Sequence, residues 1–265
     1  PAEQAHPVHR PPVERGRQGA GGFDNGPMKQ VTLGAHSIRY AEAGRQDAPR
    51  TLLLFNGIGA GIEVLEPFAT AFGQVRVLAF DVPGVGGSPA PLMPYRMHEI
   101  AALTDRLLDH LDVDRADVFG VSWGGAAAQE FAIRHPDRCR TLTLAATCAG
   151  FVMVPGPAMG LPGLLARSRS ADAALHPLHT KGWLYQWLAL SCWTSWHRLH
   201  RVRTPTLVLM GCQDTIVPPI NGRLLASRLR RATLEFVDCG HHFVLTRPGD
   251  IARRVERFMF EHPAR

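Results

Sequence analysis

The stretch Gly120-Val121-Ser122-Trp123-Gly124-Gly125 follows the strand-like residues 116–119 (ADVF) and precedes the helix-like pattern 126–132 (AAAQEFA). This pattern predicts a buried strand that turns sharply into a helix, with Ser122 at the turn. Such a turn strains the serine backbone and lifts its hydroxyl clear of the sheet. Strand and helix approach each other closely here, so a side chain at Gly120 or Gly124 would collide with the partner element. The stretch therefore predicts a nucleophilic serine.

Strand-like and helix-like stretches alternate along the chain from about residue 30, and the segment 62–72 is one amphipathic stretch among them. The run Thr51–Phe55 is apolar almost throughout, as expected for a strand buried on both faces of a parallel sheet. Alternation of this kind favours parallel strands joined by helical crossovers. Together with the serine turn, it predicts an α/β-hydrolase fold: a mostly parallel sheet, helices on both faces and a small helical cap.

The chain has 265 residues, which suits one large domain and does not require two. Residues 1–28 are rich in Pro, Gly, Arg and His, and we expect them to form a flexible basic tail. Residues 150–200 contain several prolines and four tryptophans but no strand pattern, so we assign them to the cap. The hydrolase core would then comprise residues 29–149 and 201–265.

The composition and charge of the chain indicate which kinds of partner to expect. The formal net charge is +6, but no basic run interleaved with aromatic residues occurs, so we expect no nucleic-acid binding. No run of about 18 apolar residues occurs, so we expect no integral membrane association. The five cysteines form no CxxC pair, and the N-terminal residues lack the apolar core of a signal peptide. Both observations favour a cytoplasmic protein.

A serine hydroxyl needs a base to take its proton and an acid to orient that base. In α/β-hydrolases the chain order is serine, acid, histidine. Asp214 follows the strand-like run 206–210, and His241 follows the run 233–237. Because loops after parallel strands meet at one edge of the sheet, we predict the catalytic triad Ser122, Asp214 and His241.

Each partner has a competitor. Asp214 alone could be an ordinary turn or helix-capping residue. Asp238 is another candidate acid, although it lies close to His241 in sequence and on the same loop. His242 is another candidate base, and Gly240 favours His241 because glycine lets the loop turn that imidazole inward.

The developing oxyanion needs preorganised donors, usually two backbone N–H groups. One would come from Trp123, the residue after the nucleophile. The other would come from the loop Asn56-Gly57-Ile58-Gly59-Ala60, in which the Ile58 N–H is the expected donor. The alternative interpretation of that loop is a simple glycine-rich turn.

Two HxxH pairs occur, His176/His179 and His197/His200. Such spacing can bind zinc, but no Cys or acid near either pair completes a ligand set. We therefore expect no metal and no organic cofactor. The cap tryptophans could line a substrate entrance or form the core of the cap itself.

The chain resembles the intracellular, medium-chain-length type of poly(3-hydroxyalkanoate) depolymerases over residues 30–260. Three segments are the most specific: 54–60 (LFNGIGA), 80–88 (FDVPGVGGS) and 120–126 (GVSWGGA). Val152-Met153-Val154-Pro155-Gly156 and Trp193-Thr194-Ser195 at the two ends of the cap also fit, as does 205–209 (PTLVL). The chain departs from the family between about Pro157 and Trp183, where it is shorter.

The resemblance implies hydrolysis of storage polyester at granule surfaces in the cytoplasm, through a Ser-Asp-His triad that falls on Ser122, Asp214 and His241. Products would be 3-hydroxyacids or oligomers, released through an acyl-enzyme. The alternative is a small-molecule carboxylesterase whose shortened cap does not engage polymer. The partner is accordingly a granule surface or a small ester, and the sequence indicates no oligomeric state.

Overall fold

The computed structural model describes residues 28–157 and 181–263. The predicted basic tail therefore lies outside the described residues, apart from Met28. The same holds for positions 158–180 of the predicted cap, which include the His176/His179 pair.

Eight strands form one sheet in the order β1-β2-β4-β3-β5-β6-β7-β8. The first two strands form a hairpin, and β2 also pairs antiparallel with β4; the neighbouring pairs from β4 to β8 are parallel. The strands are β1 Lys29–Leu33, β2 His36–Gly44, β3 Thr51–Phe55, β4 Arg76–Phe80, β5 Ala116–Val121, β6 Cys139–Ala145, β7 Thr206–Gly211 and β8 Ala232–Val237. The predicted α/β-hydrolase architecture is confirmed.

Helices cover both faces of this sheet. They are α1 Glu66–Ala69, α2 Met97–His110, α3 Trp123–Arg134, α4 Lys181–Ser191, α5 Ile220–Arg228, α6 Phe243–Thr246 and α7 Pro248–Glu261, with short 3₁₀ turns at Ile62–Leu65 and Leu199–Arg201. The segment 62–72, predicted as one amphipathic stretch, is a 3₁₀ turn followed by the single helical turn of α1.

The hydrophobic core is split into two layers by the sheet. Strand β3 shows the division: Leu53 and Phe55 pack with α2 and α3 on one face, while Leu52 and Leu54 pack with α1 and α7 on the other. Side chains alternate between faces along a strand, and here both faces are covered. This explains why the sequence of β3 is a continuous apolar run and not an alternating one.

The position of the site follows from the strand order. From β3 the chain moves to β4 on one side and later returns to β5 on the other side of β3. The loops after β3 and β5 are therefore neighbours that lead to helices in opposite directions, which is where open α/β sheets bind ligands. Ser122 follows β5, and the loop 56–60 follows β3.

We expect Gly124→Ala to lower the free energy of unfolding by about 2–3 kcal/mol and to reduce activity. A Cβ at this position would lie 2.5 Å from the Phe55 carbonyl carbon and from the Asn56 carbonyl oxygen, both backbone atoms. The clash would push the loop after β3 away from Ser122. Chemical denaturation and ester hydrolysis measure the two effects.

Gly73→Ala is the matched control, because a Cβ there meets nothing within 4 Å. We expect it to change the unfolding free energy by less than about 1 kcal/mol. Equal stability of the two variants would contradict the close contact between α3 and the end of β3.

Candidate active site

Ser122 has an unusual backbone that its neighbours hold in place. It lies between β5 and α3 with φ 55° and ψ −118°, a left-handed φ that is uncommon for a non-glycine residue. Its N–H donates to the Ala145 carbonyl at 2.9 Å. Its carbonyl accepts from the Gly125 N–H at 2.9 Å and from the Thr147 hydroxyl at 2.7 Å. Strain of this kind persists where surrounding contacts over-determine it, and it clusters at active sites.

The structure brings the three predicted triad residues together. His241 Nε2 lies 3.2 Å from Ser122 Oγ, and His241 Nδ1 lies 2.7 Å from Asp214 Oδ2. The Asp214 side chain is fully buried, and the His241 side chain is 9% exposed. Nucleophile, base and acid are thus joined in one hydrogen-bonded chain at the carboxyl edge of the sheet.

The positions of these atoms match the tautomer of His241 that a triad requires. In that tautomer Nδ1 donates to the Asp214 carboxylate, which can only accept when ionised. Nε2 then has a lone pair that can accept from the Ser122 hydroxyl. Asp214 Oδ1 accepts from the Ile216 and Val217 N–H groups at 2.9 and 2.8 Å, which fixes the carboxylate plane.

The competing residues lie elsewhere in the site. Asp238 accepts a hydrogen bond from Gln213 Nε2 at 2.9 Å on the exposed side of the loop and does not join the chain to Ser122. His242 lines the cleft beside Ser122, with its ring nearly perpendicular to that of His241 and 5.4 Å away. His241 is therefore the histidine in hydrogen-bond contact with the serine.

The loop after β3 passes directly beside the serine. A Cβ added to Gly57 would lie 4.0 Å from Ser122 Cβ. Asn56 braces the loop at both ends: its Oδ1 accepts from the Gly57 N–H at 2.9 Å, and its Nδ2 donates to the Gly61 carbonyl at 2.5 Å. Sequence analysis assigned no role to Asn56, because an asparagine after a strand is equally typical of an ordinary turn.

The two residues predicted to donate to an oxyanion lie near Ser122: Trp123 follows it in the chain, and Ile58 lines the same cleft. Trp123 is the first residue of α3, and the first N–H groups of a helix have no acceptor within the helix. The Ile58 N–H donates to no protein atom within the described part of the chain. Donation from these two groups to an oxyanion stays a prediction.

The cleft around Ser122 is largely apolar. Besides the site residues and the loop after β3, its walls are formed by Val64, Leu65, Val121, Val244 and Leu245. These aliphatic side chains can accommodate an alkyl group, and they exclude water from the charges that develop near the serine.

Trp193 belongs to a buried polar cluster that ties the segment 193–198 to α3. Its indole Nε1 donates to Glu130 Oε2 at 2.8 Å, and Arg198 Nη2 donates to the same oxygen at 2.8 Å. Burial opposes ionisation of Glu130, but these hydrogen bonds and one from Arg134 keep its pKa below the ordinary value. Trp193 therefore has a packing role at the base of the cap.

Trp183 and Trp187 lie one helical turn apart on α4, with their rings edge to face at 5.9 Å. Both are half-buried. They form a pair on the helix surface and do not join the cluster around Trp193.

The two buried cysteines, Cys139 and Cys148, do not compete as nucleophiles. All five are free thiols. Burial raises the pKa of Cys148 to about 11 and that of Cys139 well above its ordinary value, so both are protonated at neutral pH.

Across positions 28–157 and 181–263, no three His, Cys, Asp or Glu side chains are grouped as metal ligands. Nor does any helix within these ranges have the length and apolarity needed to cross a membrane.

Comparison with known proteins agrees with this geometry. Residues 50–173 match the family model described as alpha/beta hydrolase fold. A poly(3-hydroxyalkanoate) depolymerase from Ectopseudomonas oleovorans is 41% identical over 260 residues, covering 88% of this chain and 92% of that protein. A pimeloyl-[acyl-carrier protein] methyl ester esterase from Aromatoleum aromaticum is 32% identical, covering 77% and 96%. The crystal structure of a hydrolase from Pseudomonas aeruginosa PA01 superposes with a TM-score of 0.77 at 26% identity, covering 88% and 98%.

Fold, site and relatives together define a carboxylic ester hydrolase with the α/β-hydrolase fold. Within that class, the chain belongs to the poly(3-hydroxyalkanoate) depolymerase family.

Proposed function

We propose that this protein hydrolyses the ester bonds of poly(3-hydroxyalkanoate), with Ser122 as nucleophile, His241 as general base and acid, and Asp214 as the residue that orients His241. The observation that carries the proposal is the hydrogen-bonded chain from Asp214 through His241 to Ser122, at the floor of an apolar cleft. The 41% identity to a named depolymerase supports the choice of polymer.

The reaction follows from the positions of these groups. Ser122 Oγ attacks the ester carbonyl carbon as its proton moves to His241 Nε2, and the resulting imidazolium is stabilised by Asp214. The carbonyl oxygen becomes an oxyanion that accepts hydrogen bonds from the Ile58 and Trp123 N–H groups. The carbon–oxygen bond to the leaving hydroxyl breaks, and that hydroxyl takes the proton from His241.

Water completes the cycle. His241 removes a proton from a water molecule, which attacks the acyl-Ser122 carbonyl through a second tetrahedral intermediate. Collapse of that intermediate releases a 3-hydroxyacid or an oligomer and returns the proton to Ser122. No step requires a metal ion or an organic cofactor.

An exposed apolar surface on the cap side supports contact with a solid polyester. Leu184 and Leu188 lie one turn apart on α4 and are 51% and 46% exposed, and Leu92 and Met93 are 89% and 70% exposed. Tyr185 joins the two elements, because its hydroxyl donates to the Leu92 carbonyl at 3.2 Å. A granule is an apolar, insoluble substrate, and exposed apolar patches mark such contacts.

The test is a substrate panel. We expect the purified protein to hydrolyse dispersed polyesters with medium-length alkyl side chains, measured by the release of 3-hydroxyacids, as well as soluble nitrophenyl esters. Hydrolysis of the soluble esters with no release from any polyester would contradict the polymer assignment and favour a small-molecule esterase.

The double variant Leu184→Ser/Leu188→Ser should separate surface contact from chemistry. We expect it to lose about 30-fold in polymer hydrolysis, since two exposed apolar side chains each contribute on the order of 1 kcal/mol of contact, and to keep its activity on nitrophenyl esters. Phe260→Ser alters an exposed apolar residue on α7 and is the control. Equal polymer activity of the double variant and the wild type would contradict a role for α4 in polymer contact.

A further inference from the structure

Gln186 is a polar side chain buried beneath the cap helix α4, with 1% of its surface exposed. Its Oε1 accepts a hydrogen bond from the Gly59 N–H at 2.7 Å, and its main-chain carbonyl accepts one from Trp123 Nε1 at 2.9 Å. Gly59 follows Ile58 in the loop after β3, and Trp123 follows the nucleophile. One residue of the cap thus touches both segments from which the oxyanion donors come.

The hydrogen bonds of the loop after β3 show what this contact does. The Gly57 N–H donates to Asn56 Oδ1, the Gly59 N–H to Gln186 and the Ala60 N–H to the Gly57 carbonyl. Of the four N–H groups from Gly57 to Ala60, the Ile58 N–H alone has no acceptor among the described residues. The Ile58 N–H shares a peptide plane with the Gly57 carbonyl, which the Ala60 N–H holds, and Asn56 and Gln186 hold the planes on either side. Ile58 itself lines the cleft beside Ser122.

The helix that carries Gln186 is itself fixed by close packing. A Cβ on Gly182 would lie 2.8 Å from Gly84 Cα, so α4 contacts the loop after β4 backbone to backbone. The Tyr185 hydroxyl bonds to the Leu92 carbonyl. The Gln186 amide is thus held by a helix that cannot shift without breaking its contacts to the loop between β4 and α2.

We propose that Gln186 is a positioning residue for the oxyanion hole: its side-chain oxygen holds the Gly59 N–H so that the Ile58 N–H points at the ester oxygen. This inference rests on the proposed function of Ser122, Ile58 and Trp123. It links the cap to catalysis through a defined hydrogen bond, in addition to any contact of the cap with substrate.

The test is the kinetics of Gln186→Met on a soluble nitrophenyl ester. Methionine has a similar length and volume but cannot accept the Gly59 hydrogen bond, while the main-chain bond to Trp123 is retained. We expect kcat to fall by about 10- to 100-fold, as for a displaced oxyanion donor, with KM changed by less than about threefold, since an oxyanion interaction acts mainly in the transition state. A kcat within twofold of the wild type would overturn the proposal.

A second variant separates positioning from general stability. Gln186→Glu keeps an acceptor oxygen for the Gly59 N–H, so we expect its kcat at low pH to exceed that of Gln186→Met. As pH rises and the introduced carboxylate ionises, kcat should fall relative to the wild type, because a negative charge then faces the loop that binds the oxyanion. If Gln186→Met fails to fold, this pH profile decides alone, and a profile parallel to that of the wild type would overturn the proposal.

A negative result for Gln186 can be told apart from a failure of the proposed serine-hydrolase function. A wild-type protein that hydrolyses no ester, or whose Ser122 does not react with a fluorophosphonate, would contradict the serine mechanism itself. A labelled, active wild type with an unaffected Gln186→Met would contradict only the role of Gln186.

Discussion

Replacing Ser122 by alanine is expected to lower kcat for ester hydrolysis by about 10⁵- to 10⁶-fold, the loss typical of a triad nucleophile. Without Oγ no acyl-enzyme forms, and only the oxyanion donors and the cleft remain to stabilise attack by water. The fold should be unaffected, since alanine keeps the backbone contacts to Ala145 and Thr147. Hydrolysis of a nitrophenyl ester and labelling by a fluorophosphonate measure the effect.

Ser227→Ala is the matched control. Ser227 is exposed on α5, and its hydroxyl donates to the local Leu224 carbonyl. This variant should react with the fluorophosphonate and turn over ester like the wild type. If purified Ser122→Ala still hydrolysed esters at more than about a hundredth of the wild-type rate, a level far above the residual expected for a lost nucleophile, another residue would have to be the nucleophile.

Asp214→Asn is expected to lower kcat by about 10⁴-fold, as seen when a triad acid becomes an amide. The reason lies in the two N–H groups of Ile216 and Val217 that bond to Oδ1. They require an acceptor, so the asparagine oxygen takes that position and its NH₂ group turns toward His241. Nδ1 must then accept, the imidazole proton moves to Nε2, and the lone pair needed by Ser122 is lost.

The comparison is with Asp238→Asn, which alters the other candidate acid. Asp238 bonds to Gln213 and not to His241, so this change should leave kcat within about twofold of the wild type, the small effect usual for an exposed side chain. Pre-steady-state kinetics should place the loss in Asp214→Asn at acylation, with substrate binding retained. An Asp214→Asn enzyme close to wild-type activity, alongside an inactive Asp238→Asn, would reassign the acid.

Much of the fold was predictable because its signals are local. The apolar run of β3 indicates a strand covered on both faces, and the small residues at Gly120 and Gly124 indicate where strand and helix touch. The order of Ser122, Asp214 and His241, each after a strand, follows from the rule that parallel strands end at one edge. These features depend on neighbouring residues or on chain order, so sequence alone carries them.

Other parts of the site depend on contacts distant in sequence. Gln186 bonds to Gly59 across 127 positions, and an amide within a tryptophan-rich helix gives no sign of that partner. The hydrogen-bond acceptors of the N–H groups before and after Ile58 could not be predicted either, because they depend on the path of the loop in three dimensions. The segment 62–72 was expected to be a single amphipathic stretch, but its regular helix ends at Ala69, because apolar spacing does not reveal where a short helix stops.

The anchoring of Ser122 has a consequence for how activity arises during folding. The serine backbone is secured by Ala145, the last residue of β6, and by Thr147 just beyond it. Neither anchor exists until β6 has docked beside β5, so a chain with α3 already formed would still lack a reactive serine. We therefore expect activity to appear during folding only when β6 has paired with β5. A mutation that disrupts β6 should reduce the reactivity of Ser122 even though it changes no residue of the triad.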